Sequence, residues 1–152
     1  MGTAWSGHAR MGLDSATIIY AIEKHPRYGP ECTRLLAHLN AGRATGVLSC
    51  LVLTEVLTRP YMLGADDLRR EYLATLTEAP GAELVPVDAT IADVAAQLRA
   101  RHGLRTPDAV HAATALCAGA TVFVTNDRAF ERLRGEIAVV VLDDVVPADV
   151  RD

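Results

Sequence analysis

Short aliphatic runs alternate along the chain with longer segments in which apolar positions recur at helical spacing. This alternation predicts an α/β fold around a mostly parallel sheet, since parallel strands must be joined by crossover segments that are usually helices. Five strands are predicted, roughly Ala9 to Asp14, Gly46 to Ser49, Glu83 to Val87, Thr121 to Val124 and Ala138 to Leu142. The last two are the sharpest. Val122-Phe123-Val124 and Ala138-Val139-Val140-Val141-Leu142 are continuously apolar, as strands covered on both faces are. Helices are predicted over Ala16 to Glu23, Pro30 to Asn40, Leu51 to Thr58, Asp66 to Glu78, Ala89 to Arg101, Pro107 to Ala118 and Arg128 to Arg134. Gly42 and Gly119 stand just past two of them, and Thr106-Pro107-Asp108 places a capping hydroxyl, a first-turn proline and a first-turn acid in the favoured order. Pro60-Tyr61-Met62-Leu63-Gly64 reads as a break between helices, and residues 144–152 as a loosely held acidic tail.

Composition narrows the class. At 152 residues one domain spanning the chain is expected, and no stretch approaches the ~20 apolar residues of a membrane span. The start lacks the apolar run of a secretory signal, which predicts a cytoplasmic protein. Cys32, Cys50 and Cys117 lie in apolar sequence without disulfide or zinc spacing, so buried thiols in a reducing compartment are expected. The net charge of −4 disfavours an extended grip on nucleic acid, so charge has to be read locally. Lys24 is the single lysine; every other basic side chain among Lys and Arg is an arginine, suited to bidentate phosphate contacts. Arg99, Arg101 and Arg105 form a candidate RNA-facing cluster, with favourable placement at a helix end as the rival explanation.

In open parallel sheets, ligands bind outside the carboxyl ends of the strands. Four acids fall there. Asp14 closes the first strand, Asp127 follows the fourth, Glu55 lies in the second turn of the helix after the second strand, and Asp108 opens the helix before the fourth. Structural explanations stand beside each: Asp14 and Asp127 (or Asn126) as helix caps, Asp108 as a favourable charge at a helix start. Glu55 is set among Leu51, Val52, Leu53, Val56 and Leu57, which predicts a buried carboxylate in need of a partner. Four converging carboxylates repel one another by about 4 kcal/mol per close pair at an effective dielectric near 20, and a divalent cation removes that repulsion. Oxygen-only ligation points to Mg²⁺ or Mn²⁺ rather than zinc, and the implied chemistry is hydrolysis of a phosphodiester by a metal-activated water.

At these residues the sequence resembles the PIN-domain family, most closely the VapC-type toxins of bacterial toxin–antitoxin pairs. The likeness is carried by Leu13-Asp14-Ser15-Ala16-Thr17-Ile18-Ile19-Tyr20, Thr54-Glu55-Val56-Leu57, Thr106-Pro107-Asp108-Ala109-Val110-His111-Ala112-Ala113-Thr114-Ala115 and Val124-Thr125-Asn126-Asp127-Arg128-Ala129-Phe130, in order over nearly the whole chain. The resemblance implies a three-layer sandwich with a central parallel five-stranded sheet flanked by helices. It also implies Mg²⁺ or Mn²⁺ held by Asp14, Glu55, Asp108 and Asp127, with Ser15, Thr125 and Asn126 in support. The implied activity is ribonuclease, blocked by a cognate antitoxin protein, in a chain that forms homodimers. Two departures appear: residues 1–8 read as an N-terminal extension, and Ser15 stands where the family often has Thr.

His111 follows Asp108 by one helical turn, but a histidine among alanines on a packed helix reads as structural. Ser49 and Cys50 lack the nucleophile elbow of a hydrolase, and Ser49 reads as a cap. A response-regulator receiver domain would need a lysine after its last strand, where this chain has none. Two readings remain beside the toxin: a catalytically silent PIN domain serving as a scaffold, and an RNA-maturation nuclease without an antitoxin.

Overall fold

A computed structural model describes residues 3–148. Strands β1 (Arg10–Leu13), β2 (Thr45–Ser49), β3 (Ala82–Val85), β4 (Val122–Thr125) and β5 (Ala138–Val141) form one sheet in the order β3-β2-β1-β4-β5, with every neighbouring pair parallel. The helices are α1 (Ser15–Ile22), α2 (Gly29–Asn40), α3 (Leu51–Leu63), α4 (Asp66–Thr77), α5 (Ala89–His102), α6 (Thr106–Cys117) and α7 (Leu142–Val145), with a 3₁₀ helix over Arg128–Leu133. The expected α/β class and five-stranded parallel sheet are what the chain forms. From the central strand β1 the chain builds outward through β2 and β3, then returns to place β4 and β5 on the other side. The topological switch therefore lies between β1 and β4.

Alternation along β4 divides the core. Val122 and Val124 join a cluster with Ile18 of α1, Leu35 of α2, Val56 of α3 and Tyr72 of α4, whereas Phe123 joins Leu98 of α5, the alanines of α6 and Phe130. Each β4 residue is fully buried, which a strand of period-two side chains permits only when helices cover both faces. The alanines Ala109, Ala112, Ala113 and Ala115 let α6 lie close to the sheet. The closest approach is at Gly12 of β1, where an added Cβ would stand 2.5 Å from Ala115 Cβ and 2.6 Å from the Phe123 ring.

Several expectations are corrected. The break foreseen at 60–64 is helix: α3 runs to Leu63 with Pro60 inside it, where burial of the ring offsets the one backbone hydrogen bond that proline cannot donate, and Gly64 at φ +61° closes the turn. Tyr61, Met62 and Leu63 are thus the exposed last turn of α3. The tail begins later than expected, since α7 is helical, Val146 is buried and Asp143 and Asp144 pair with Arg27 and Arg128; residues 149–152 lie outside the described part. In the segment read as an extension, Trp5 is 1% exposed within the core and His8 Nδ1 lies 2.8 Å from Thr121 Oγ1; Met1 and Gly2 lie outside the described part. Thr106 is the first residue of α6 rather than its cap, and makes no capping bond. Of the three thiols only Cys32 is buried; Cys117 is exposed.

Gly12→Ala should lower stability by about 1–3 kcal/mol through overpacking between β1 and α6. Urea denaturation followed by far-ultraviolet circular dichroism checks this, with an unchanged midpoint as the contrary outcome.

Candidate active site

Because the strands are parallel, Leu13, Ser49, Val85, Thr125 and Val141 end on one rim, and the switch between β1 and β4 is where such sheets receive ligands. Asp14 is the first residue past β1 and the N-cap of α1. Its Oδ1 accepts the amide of Ala16 at 3.2 Å. Its Oδ2 accepts the hydroxyl of Thr125, the last residue of β4, at 2.5 Å. With that donor committed, Thr125 Oγ1 accepts the Asp127 amide at 3.0 Å, and Asp127 Oδ1 accepts the Ala129 amide at 2.9 Å to cap the 3₁₀ helix. The capping explanation and the rim placement of Asp14 and Asp127 are thus one geometry. Asn126 braces the same loop: its amide donates to the Tyr20 hydroxyl at 3.3 Å and its oxygen accepts the Asp143 amide at 3.0 Å.

Glu55 is not buried as expected; about a third of its side chain is exposed. Its apolar neighbours in sequence fan around α3 at roughly 100° per residue, so Val52 and Val56 enter the core while Glu55 turns to the rim. Its partner is the residue that sequence reasoning set aside. His111 of α6 is 3% exposed, and its Nε2 lies 2.5 Å from Glu55 Oε1. An ionised carboxylate only accepts, so Nε2 carries the proton. His111 Nδ1 is buried and has no hydrogen-bond partner among the described residues. The only sequence signal was its position three residues after Asp108, which puts both on one face of α6.

Asp108 lies in the first turn of α6 and its carboxylate accepts Arg105 Nε at 3.3 Å. Ser15 begins α1 beside Asp14 and makes no side-chain hydrogen bond among the described residues. The expected arginine cluster is divided: Arg99 donates to the Leu104 carbonyl at 3.2 Å, Arg101 pairs with Glu136 at 2.8 Å, and Arg105 alone reaches the candidate acids.

Burial pushes the Asp14 carboxyl up from 3.8 to about 6, opposed by the Thr125 hydrogen bond, the charge of His111 and the amides of Ala16 and Thr17. The four acids are therefore distributed, with Asp14 linked through Thr125 to Asp127, Glu55 held by His111 and Asp108 paired with Arg105. Among the described residues no three side chains of His, Cys, Asp or Glu stand in cation-holding geometry. The donor set is nevertheless all oxygen, and a buried carboxyl whose ionised form is undersupplied with positive charge fits a hard divalent ion in kind.

A five-stranded parallel sheet covered by helices, with acids on both sides of its switch point, defines the class as an open-sheet α/β protein. The PIN domain family model matches residues 11–136, and the chain belongs to that family, whose members are generally nucleases. Solved structures of similar fold include a toxin–antitoxin complex from Klebsiella pneumoniae, at TM-score 0.64 and 20% identity over 88% of this chain and 97% of that one. VapBC2 from Rickettsia felis bound to a promoter DNA fragment gives TM-score 0.62 and 22% identity over 87% and 97%. DNA-bound VapBC from Salmonella typhimurium gives 0.59 and 25% over 88% and 97%. No curated protein matches this chain in sequence.

The raised Asp14 carboxyl has a stability consequence. In cation-free protein its contribution is full below pH 3.8 and is lost as pH rises through about 6, because the buried side chain must then ionise. Asp14→Asn should accordingly raise stability at pH 7.5 by roughly 1–3 kcal/mol and change it little at pH 3.5. Thermal melts in EDTA at both pH values decide it; a variant less stable than wild type at pH 7.5 contradicts the assignment.

Proposed function

We propose that this chain is a Mg²⁺- or Mn²⁺-dependent endoribonuclease, the toxin of a toxin–antitoxin pair, acting in the cytoplasm as a homodimer. The observation that carries the reading is Asp14: a carboxyl buried at the switch point and tied through Thr125 to the loop bearing Asp127. Asp14, Glu55, Asp108 and Asp127 would hold the cation, which when bound activates water and offsets charge on the phosphate undergoing attack. The chain's own groups prepare the site. Thr125 and the Ala16 amide aim Asp14, His111 fixes Glu55 and Asn126 braces the rim loop, while Ser15 would lend its hydroxyl to the bound ligand. Arg105, mostly exposed, has a guanidinium free to move from Asp108 to a substrate phosphate as a cation takes its place.

The antitoxin reading rests on the resemblance, on the complexes of similar fold and on a surface feature. Tyr61, Met62 and Leu63 are 64%, 81% and 65% exposed in one helical turn, and contiguous apolar exposure of this kind marks interaction sites. An amphipathic helix of the antitoxin would cover that turn while a basic side chain enters the acidic rim, competing with the cation.

Purified protein should cleave RNA in Mg²⁺ or Mn²⁺ and stop in EDTA, leaving 5′-phosphate and 3′-hydroxyl ends. Asp14→Asn and Asp108→Asn should fold and lose cleavage; full activity in either refutes the assignment, and cyclic 2′,3′-phosphate ends refute the water mechanism. A wild type inactive on RNA in both metals would favour the scaffold reading.

His111→Ala should raise the Mg²⁺ requirement about 10–100-fold, as removal of a partner that orients a ligand does, and His111→Gln should recover part of it. The measurement is cleavage rate against Mg²⁺ concentration; an unchanged half-saturation point in a folded His111→Ala variant leaves the histidine a packing residue.

A further inference from the structure

The turn between α1 and α2 holds the chain's single lysine in a backbone conformation that lysine disfavours. Lys24 has φ +53°, the one positive φ outside glycine among the described residues. It sits where α1 closes, with the Glu23 amide donating to the Ile19 carbonyl and the His25 amide to the Tyr20 carbonyl, both at 2.9 Å, a position that glycine usually fills. Among the described residues no side-chain hydrogen bond or ion pair offsets the strain. Lys24 is exposed and has no ion pair among the described residues, while the adjacent Glu23 is taken by Arg59 and the Tyr72 hydroxyl.

Beside Lys24 is an open cavity of about 390 Å³ lined by Lys24, His25, Pro26, Gly29, Pro30 and Thr33. Its lining holds two proline rings, an imidazole, a hydroxyl and one ammonium, and no carboxylate. His25 Nδ1 accepts the amides of Arg27 and Tyr28, each at 3.2 Å, so the neutral ring carries its proton on Nε2 as a donor. The cavity is joined to the acidic rim by packed rings: His25 lies 4.8 Å from Tyr20 and 4.9 Å from Tyr28, and the Tyr20 hydroxyl accepts from Asn126, the neighbour of Asp127.

We propose that this cavity is a nucleotide subsite for single-stranded RNA crossing the rim, an inference resting on the ribonuclease reading. The Lys24 ammonium pairs with a phosphate flanking the cleaved one, and the base lies against the Pro26, Pro30 and His25 walls. The chemistry selects this occupant: apolar walls with a cation and no acid suit a flat group carrying negative charge, and ring contacts serve every base alike. The subsite also supplies positive charge beside a rim that is otherwise acidic.

The decisive variant is Lys24→Gly, which removes the ammonium and relieves the strained backbone together. It should melt higher than wild type while binding RNA less tightly, a pairing that a merely structural lysine would not give. The probe is a fluorescein-labelled, mixed-sequence single-stranded RNA, read by anisotropy across a salt series in an Asp108→Asn background that does not cut it. The slope of log affinity against log salt should fall by about 0.7, the share of one phosphate contact, and Lys24→Arg should keep it. KM for the same RNA should rise in the cleaving Lys24→Gly chain. Unchanged affinity and slope in Lys24→Gly, with wild type still cutting RNA, overturn the subsite alone. A wild type that neither binds nor cuts RNA overturns the ribonuclease reading and the subsite with it.

Discussion

A carboxyl group buried at the end of the central strand is the constraint around which this fold is organised. Asp14 follows β1, which has β2 on one side and β4 on the other, so its side chain is enclosed where the sheet changes direction. The Ala16 amide and the Thr125 hydroxyl both donate to it. Each defines something beyond Asp14 itself. The Ala16 bond starts α1, and the Thr125 bond leaves that hydroxyl oxygen to accept the Asp127 amide, which fixes the turn after β4. One ionisable group thus couples the start of a helix on one face to a loop on the neighbouring strand. Burial still outweighs these donors, so the site favours added positive charge at neutral pH.

The remaining acids meet the same demand by different means, and the differences matter. Arg105 is mostly exposed, and a pair of that kind contributes at most about 1 kcal/mol, so Asp108 is readily released to another cation. Glu55 is bound to a buried histidine that has nowhere else to turn, since its second nitrogen is already without a partner. Removing Glu55 from that contact would leave two buried polar atoms on His111 unsatisfied. The rim therefore combines one acid in an exposed ion pair with one held against a buried side chain.

The sheet was legible because full burial of a parallel strand demands continuous apolar sequence, as in Val122-Phe123-Val124. The rim placement of Asp14 and Asp127 was equally legible, since Asp14 directly follows one recognisable strand and Asp127 comes two residues after another. Glu55 was misjudged because adjacency along a helix is not adjacency in space: Leu53, Val56 and Leu57, its nearest apolar neighbours in sequence, project to other faces of α3. His111 was passed over because its alanine neighbours announce packing while its contact lies 56 positions earlier in the chain. Trp5 and the Asp143–Arg27 pair were invisible for a similar reason, being long-range contacts from segments without periodicity. Pro60 misled in the opposite sense, since a strong local breaker was outweighed by the burial of its own ring.

A net charge of −4 looks ill-suited to a polyanionic substrate, but the difficulty dissolves once charge is followed residue by residue. Most arginines are already paired with acids, including Arg10 with Glu83, Arg27 with Asp143 and Arg128 with Asp144. Little free cationic surface is left to bind nucleic acid without regard to position. On the nuclease reading, substrate binding would come from few contacts around the rim, with cations supplied where the carboxylates gather. On the proposed function, the negative potential that would draw a divalent ion would also draw a basic side chain from a protein partner, so the two would compete for one rim. On that reading, occupation of the rim by either one would weaken binding of the other, and by the same factor in both directions.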